Sequence, residues 1–546
     1  MSNRLKKHTK SSGEETTNPF FFALSMLVEV YLALIICVYP FLIKAGYTET
    51  SHIKYNFLIG LSYGFRIGII PVPAFVPLAA LLAAAGVFRQ LRDAGSSVAA
   101  YLKGVKWSFT DKMVWLYAAS LILSTVVSSY KQELWWGYPG WNMGLASQFL
   151  FVFLYFVMSR FFDPDDLRFF VPACMAASGA VFLIAILQRY GFDVFQLYQG
   201  LEQEQRILFL STIGQASWFS SYMILFVTMG IFIVWYADKQ SILYKAGVVY
   251  LIIAGICLVT QNTDSAYAGL FLSLSLLFAW SFEDTAQMKR FLETALIILC
   301  SFRAAGIGRM MLKDSAIALE SLSVFMTEHV SGWLLIGILV LAYVALCRIQ
   351  KKPNKWDEGT YKVLGKRYAI LLALAVVALF LYIVLNTCGL LPEGLSSTNN
   401  YLFFGRRWGN GRGAALHDTV LSYVSIWKEN PLKGLFGAGA DQFYHVIQEH
   451  VSEWTTANSA KVLTNAHNEW LTVFLNFGLF GGVVYILIFV SAIVRCAQNR
   501  ARAPLAMCCA ACVIAYMAHN LFCYQQYICT PYIFIIMGVG ECFLRE

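Results

Sequence analysis

Charge is what this sequence most lacks. Only 13% of its 546 residues are Asp, Glu, Lys or Arg, against 58% hydrophobic, whereas soluble domains carry about a quarter charged residues. A chain so poor in charge cannot coat a water-soluble globule, which excludes the ordinary soluble folds. Proline is scarce too, 13 in all, so long stretches are free to remain helical. Histidine is scarcer still at 8. The 13 cysteines fall mostly within apolar runs, as at Cys508, Cys509 and Cys512, and show no zinc-ligand spacing. No metal and no cofactor are therefore expected. Cys388, Cys523 and Cys529 lie near one face and are candidates for pairing in an oxidising exterior. No soluble stretch carries a basic stripe with interleaved aromatics, so nucleic acid is not an expected partner. The net charge of +9 points to membrane lipids with anionic headgroups.

What the chain has in abundance is apolar runs long enough to cross a bilayer. There are about fourteen, or twelve if the doubtful ones are dropped, near 20–43, 68–88, 113–128, 145–161, 169–188, 217–236, 246–262, 265–282, 291–308, 331–348, 368–387, 468–494, 505–522 and 531–544. The ninth is the weakest because Arg303 interrupts it. The expected fold is an all-α polytopic membrane protein. The dense run Arg348, Lys351, Lys352, Lys355, Lys362, Lys366 and Arg367 belongs on the cytoplasmic side, which places both termini inside. Four regions follow: a cytoplasmic tail over 1–19, helices over 20–387, a large extracytoplasmic loop over 388–467, and the last helices with a short cytoplasmic end over 468–546.

That loop is too long to be a mere connector. Leu416, Val420, Val424 and Trp427 recur at helical spacing and predict an amphipathic helix over Ala414–Asn430, stopped by Pro431. Asp441 is placed to cap a second helix carrying Phe443, Val446, Ile447, Val451 and Trp454. The glycine-rich PLKGLFGAGADQF lies between them, and the pair would form a lid on the membrane surface. Arg406, Arg407 and Arg412 in FFGRRWGNGRG offer guanidinium groups suited to phosphate oxygens. His467 stands where the loop enters an apolar helix, followed by Asn468, Gly478 and Gly481. An ionisable group at such a helix mouth is a functional candidate. His519 and Asn520 repeat the AHN string and either line the same pocket or form a buried hydrogen-bonded pair. Trp135, Trp136, Tyr138 and Trp141 form an aromatic cluster whose default role is interface anchoring, with sugar stacking as the alternative.

His467, Asn468, nine residues, Gly478, two residues, Gly481 resembles the motif of the O-antigen ligase and O-antigen polymerase superfamily. The preceding Arg412, Pro431, Leu432, Gly434, Gly437 and Gly439 are similar to its Arg, Pro-Leu-x-Gly and Gly-x-Gly pattern. The resemblance is good over residues 400–490. Weaker echoes lie at Gly214, Gln215, Ala216 and Ser217, and at Asp264, Ser265 and Ala266, where Ala266 replaces an arginine that in the family helps hold the lipid pyrophosphate. Arg206, Arg303 and Arg309 are candidate substitutes.

The resemblance implies a GT-C-like membrane glycosyltransferase with an undecaprenyl-diphosphate-linked oligosaccharide donor and a sugar acceptor, acting without a metal at the outer face of the cytoplasmic membrane. His467 would be the general base and Arg412, with Arg407 and Arg406, would meet the pyrophosphate. Asn468, Gly478, Gly481 and His519 would support them. A surface-polysaccharide polymerase is the favoured reading, with a chain-length regulator or other polysaccharide-assembly proteins as further partners. A ligase moving finished glycan to a lipid, wall polymer or protein is the first alternative. A polysaccharide transporter or lipid-linked glycan flippase is the second, although its internal repeats are not found.

Overall fold

Low charge and sparse proline produce a structure made almost wholly of helices. The computed structural model describes residues 18–67, 70–72, 74–95, 97–350, 358–387, 389–397, 412–450 and 463–545. In chain order the helices are α1 (Pro19–Cys37), α2 (Thr50–Tyr63), α3 (Phe75–Ala94), α4 (Val98–Gly104), α5 (Phe109–Val127), α6 (Leu145–Phe161), α7 (Leu167–Arg189), α8 (Ala216–Tyr236), α9 (Ile242–Thr260), α10 (Ser265–Ser281), α11 (Thr285–Met311), α12 (Ser321–Glu328), α13 (Ser331–Gln350), α14 (Glu358–Thr387), α15 (Arg412–Glu429), α16 (Pro431–Phe436), α17 (Phe443–His450), α18 (Glu469–Gln498), α19 (Ala506–His519) and α20 (Thr530–Arg545). Two small antiparallel hairpins interrupt them, β1 (Phe65–Ile67) with β2 (Ile70–Val72) and β3 (Phe209–Leu210) with β4 (Gly214–Gln215).

Among the described residues nine helices are long and apolar enough to cross a membrane, and α6, α10 and α19 are shorter apolar helices. The protein is thus an all-helical, multi-pass membrane protein. Several boundaries differ from the expectation. The second span starts at Phe75 rather than 68 because the β1–β2 hairpin occupies the earlier residues. Helix α2 has no counterpart among the expected spans; its mixed composition, TSHIKYNFLIGLSY, hides it from a hydropathy reading. Arg303 does not interrupt α11. Its guanidinium donates to the carbonyls of Thr327 at 3.0 Å, His329 at 2.9 Å and Met326, closing the C-terminus of α12.

Buried polar contacts mark the two ends of the bundle. At one end Asp111 is wholly buried and accepts from Tyr155 Oη at 2.9 Å, Arg160 at 3.1 Å and Arg545 at 2.5 Å, so α5, α6 and α20 are tied together. At the other end Tyr39 Oη donates to Tyr527 O at 3.2 Å, Ser51 Oγ meets Tyr527 Oη at 2.6 Å, and Tyr47 Oη donates to Ser211 O at 2.8 Å. His467 belongs to this second end.

Helix α18 is broken at Gly478, whose φ of 69° and ψ of −173° leave the helical region. A break frees carbonyls from their usual i+4 partners, and in an apolar medium such groups need replacements. The turn after α16 supplies them: Ala438 N–H donates to Leu475 O at 3.1 Å and Gly439 N–H to Asn476 O at 2.8 Å. The approach is so close that a Cβ on Gly437 would fall 2.3 Å from Asn476 O, and one on Gly478 would fall 2.4 Å from Leu435 O. Gly481 meets α5, where a Cβ would lie 3.1 Å from Ser120 Oγ. The spaced glycines thus dock the turn after α16 onto a broken span.

Gly478→Ala is expected to destabilise the fold by about 3 kcal/mol or more, since it combines a backbone conformation open essentially only to glycine with a backbone clash. A fall in thermal midpoint of the purified protein checks it; an unchanged midpoint contradicts the docking.

Candidate active site

The strap is built from α15, α16 and α17, with its own small core of Ala415, Ile426, Ala438, Phe443, Val446, Ile447, Leu463, Ala466 and Leu475. The inward face of α15 differs from the expected one. Leu416 is buried, but Val420 and Val424 are exposed, and Thr419, Ser422 and Ile426 point inward instead. Small polar residues take the inner face because α15 packs closely on α16 and α18, as Tyr423 Oη shows by donating to Gly434 O at 2.9 Å. Pro431 ends α15 and also begins α16, with Asn430 Oδ1 capping its first N–H groups.

Asp441 does not cap α17. Its backbone is left-handed at φ 58°, and its buried carboxylate Oδ2 accepts from Tyr138 N–H at 2.8 Å and Met143 N–H at 2.9 Å. The strap is thereby pinned to the aromatic loop between α5 and α6. Burial pushes this carboxyl up to about 7, opposed by the two backbone hydrogen bonds. Val451 and Trp454, expected on α17, lie outside the described residues.

His467 sits in the turn before α18, half-buried, with a left-handed φ of 49°. Its N–H donates to Asn465 Oδ1 at 2.8 Å, and its ring meets Tyr524 edge-on at 5.6 Å. Tyr524 in turn meets Trp141 edge-on at 4.8 Å and reaches Gln215 Oε1 at 3.5 Å. The weakly matched Gly214–Ser217 stretch therefore shares a neighbourhood with His467, and Gln215 caps α8 through its side chain. Asn468 is the N-cap of α18: Oδ1 accepts from Leu471 N–H at 3.0 Å while Nδ2 donates to Leu521 O at 2.9 Å.

Glu469, a residue that sequence reasoning missed, is wholly buried. Its carboxylate accepts from Tyr485 Oη at 2.6 Å, Tyr516 Oη at 2.9 Å and Asn520 Nδ2, and its N–H donates to Asn520 O at 3.1 Å. His519 extends this network: Nδ1 faces Asn520 Oδ1 at 2.6 Å and Nε2 faces Ser220 Oγ at 2.8 Å. Gln525 Nε2 donates to Tyr485 Oη at 3.0 Å, and Gln148 Nε2 donates to Gln525 Oε1 at 2.7 Å. The second AHN string is thus the buried pair, not an open pocket wall. The run from HNE to HN could have signalled it, since a carboxylate entering an apolar helix needs partners.

Arg406 and Arg407 lie outside the described residues. Arg412 opens α15, and Ala415, one turn on, shares the strap core with Ala466, the neighbour of His467. Of the candidate substitutes for the arginine replaced by Ala266, Arg303 is committed to α12, Arg309 pairs with Glu328 at 2.8 Å, and Arg206 lies over the Tyr198 ring. Ala266 itself is wholly buried. Arg189, also missed, holds the carbonyls of Arg206 at 3.1 Å and Ile207 at 2.9 Å, fixing the segment that presents Arg206. Cys523 and Cys529 lie on the carbonyls of Ser217 and Trp218; Cys529 is a free thiol, and Cys388 lies outside the described residues.

Among known proteins, residues 315–486 match the family described as O-antigen ligase. This stretch runs from the segment before α12 through the strap and His467 to the middle of α18. The multi-pass helical protein defined by the fold is therefore similar, over this stretch, to the O-antigen ligase family, in accord with the resemblance read from its motifs. No curated protein matches the chain.

Two outcomes follow from the buried carboxylates. Glu469→Ala would take away the acceptor that Tyr485, Tyr516 and Asn520 share, at about 1–3 kcal/mol for each hydrogen bond lost, and is expected to lower the thermal midpoint markedly; a neutral result would contradict the network. Because Asp441 titrates near 7 when folded and near 3.9 when unfolded, the stability it contributes is full below pH ~4 and falls as pH rises to about 7. Unfolding followed from pH 4 to 8 should show this decline relative to Asp441→Asn, and parallel curves would contradict it.

Proposed function

We propose that the protein is a membrane glycosyltransferase that moves an undecaprenyl-diphosphate-linked oligosaccharide onto an acceptor sugar hydroxyl at the outer face of the cytoplasmic membrane, polymerising repeat units of a surface polysaccharide. The observation that carries this reading is the placement of His467, a half-buried imidazole at the mouth of α18, held between a capped helix start and the strap that begins at Arg412. In this reading both termini are cytoplasmic, the chain crosses the membrane about fourteen times in a GT-C-like arrangement, and residues 388–467 face outward.

His467 serves as general base. Its imidazole accepts the proton of the acceptor hydroxyl as that oxygen attacks the anomeric carbon, a contribution of roughly 10²- to 10⁴-fold. The bond from the anomeric carbon to the pyrophosphate oxygen breaks, and its electron pair leaves with undecaprenyl diphosphate. Arg412, with Arg407 and Arg406, offsets the charge growing on that leaving group. Attack from the side opposite the leaving group inverts the anomeric centre, and no step requires a metal. Asn468, Gly478 and Gly481 hold the helix mouth, and His519 supports it from the buried network. The ligase reading keeps the same chemistry and changes only the acceptor.

The test is transfer in membranes supplied with a defined undecaprenyl-diphosphate oligosaccharide, read as product length and released carrier. His467→Ala and Arg412→Ala should each reduce transfer by at least about 10²-fold while the protein remains inserted. Full transfer by both variants would sink the assignment. Products lengthening in steps of one repeat unit favour the polymerase, and a single glycan appended to lipid, wall polymer or protein favours the ligase.

A further inference from the structure

We propose that Trp141 is a stacking platform for a pyranose ring of the acceptor, set beside His467 with Tyr524 as the wall between them. This rests on the reading of His467 as general base. The loop KQELWWGYPGWNMG carries four large aromatics, and the structure sends them to different places. Trp135 and Trp136 are half exposed, at 49% and 50%, and meet each other edge-on, as interface-anchoring rings do. Tyr138 packs on Tyr444 of the strap at 4.6 Å. Trp141, half-buried, is instead the ring placed against Tyr524, and Tyr524 is the ring placed against His467. Trp141 therefore stands two ring contacts from the imidazole.

The platform is fixed before any ligand arrives. Trp141 and Asn142 N–H both donate to Tyr138 O, at 3.0 and 2.9 Å. The Asp441 carboxylate grips the loop on either side through Tyr138 and Met143, and Ser51 Oγ donates to Gly140 O at 3.2 Å. Gly137 and Gly140 turn the chain with φ of 88° and 90°. A Cβ placed on Gly140 would meet nothing within 4 Å, so the chain is open to space at the residue before Trp141. A ring held this way loses little conformational entropy on binding. Its electron-rich face suits the apolar, slightly positive C–H face of a sugar, while the sugar's rim hydroxyls stay free for hydrogen bonds and for proton transfer.

The experiment uses the full-length protein with lipid-linked donor and a water-soluble methyl glycoside of the repeat unit as acceptor. Trp141→Ala should raise the acceptor KM about tenfold with donor KM and kcat nearly unchanged, and Trp141→Phe should recover most of the loss. An unchanged acceptor KM, or an equal rise in donor KM, overturns the proposal. Should Trp141→Ala fail to insert, Trp141→Leu keeps apolar bulk without a π face and is held to the same outcomes. Binding is read separately in the His467→Ala background by saturation-transfer NMR of the methyl glycoside. Loss of its signal on adding Trp141→Ala supports the platform, and a persistent signal overturns it. Undiminished transfer by His467→Ala would refute the general base alone, because the binding result does not depend on turnover.

Discussion

The break in α18 at Gly478, and the two backbone hydrogen bonds that repair it, is the constraint on which the rest depends. An intact helix would satisfy Leu475 and Asn476 internally and give the strap nothing to hold. A break without the strap would leave two carbonyls unpaired at the edge of an apolar bundle. Ala438 and Gly439 resolve both problems at once, and the mutual approach of Gly437 and Gly478 leaves no room for a side chain on either. The strap is thereby attached through its backbone to the same helix whose first turn follows His467.

From that attachment the site assembles outward. The first half of α18 carries Asn468 as its cap and Glu469 as a buried hub, so the residues immediately after His467 are fixed by α18, α19 and the turn at Asn520. The strap reaches across to the aromatic loop through Asp441. His467, Tyr524 and Trp141 thus come from three separate segments yet sit on supports that are mutually hydrogen-bonded. Such pre-organisation is what a reaction limited by orientation requires.

Buried cations illustrate how the bundle uses its scarce charges. Arg189 and Arg303 are nearly inaccessible, and both are spent on backbone carbonyls at chain turns. A guanidinium presents several donors in a fixed fork, so one side chain can close several orphan acceptors where water is excluded. Arginine in an apolar helix therefore served architecture here as well as being a candidate for substrate binding, and only the partners distinguish the two.

Composition and periodicity were enough to read a multi-pass helical membrane protein and the first and last helices of the strap, because burial in lipid demands long apolar runs and an amphipathic face recurs at helical spacing; the short α16 between them was hidden, since PLKGLFGAGADQF reads as a glycine-rich turn. Contacts between distant segments were not legible. Asp441 looked like a helix cap because caps are local, yet its partners lie some three hundred residues earlier in the chain. The inward face of α15 was misjudged because hydrophobicity was weighed without knowing that a closely packed neighbour favours small side chains. Glu469 and Arg189 went unnoticed since a buried ionisable group is recognised by what surrounds it. The sequence determined which segments must leave water; the tertiary structure decided which polar groups would meet there, because hydrogen bonds are directional and short-ranged while the hydrophobic effect is neither.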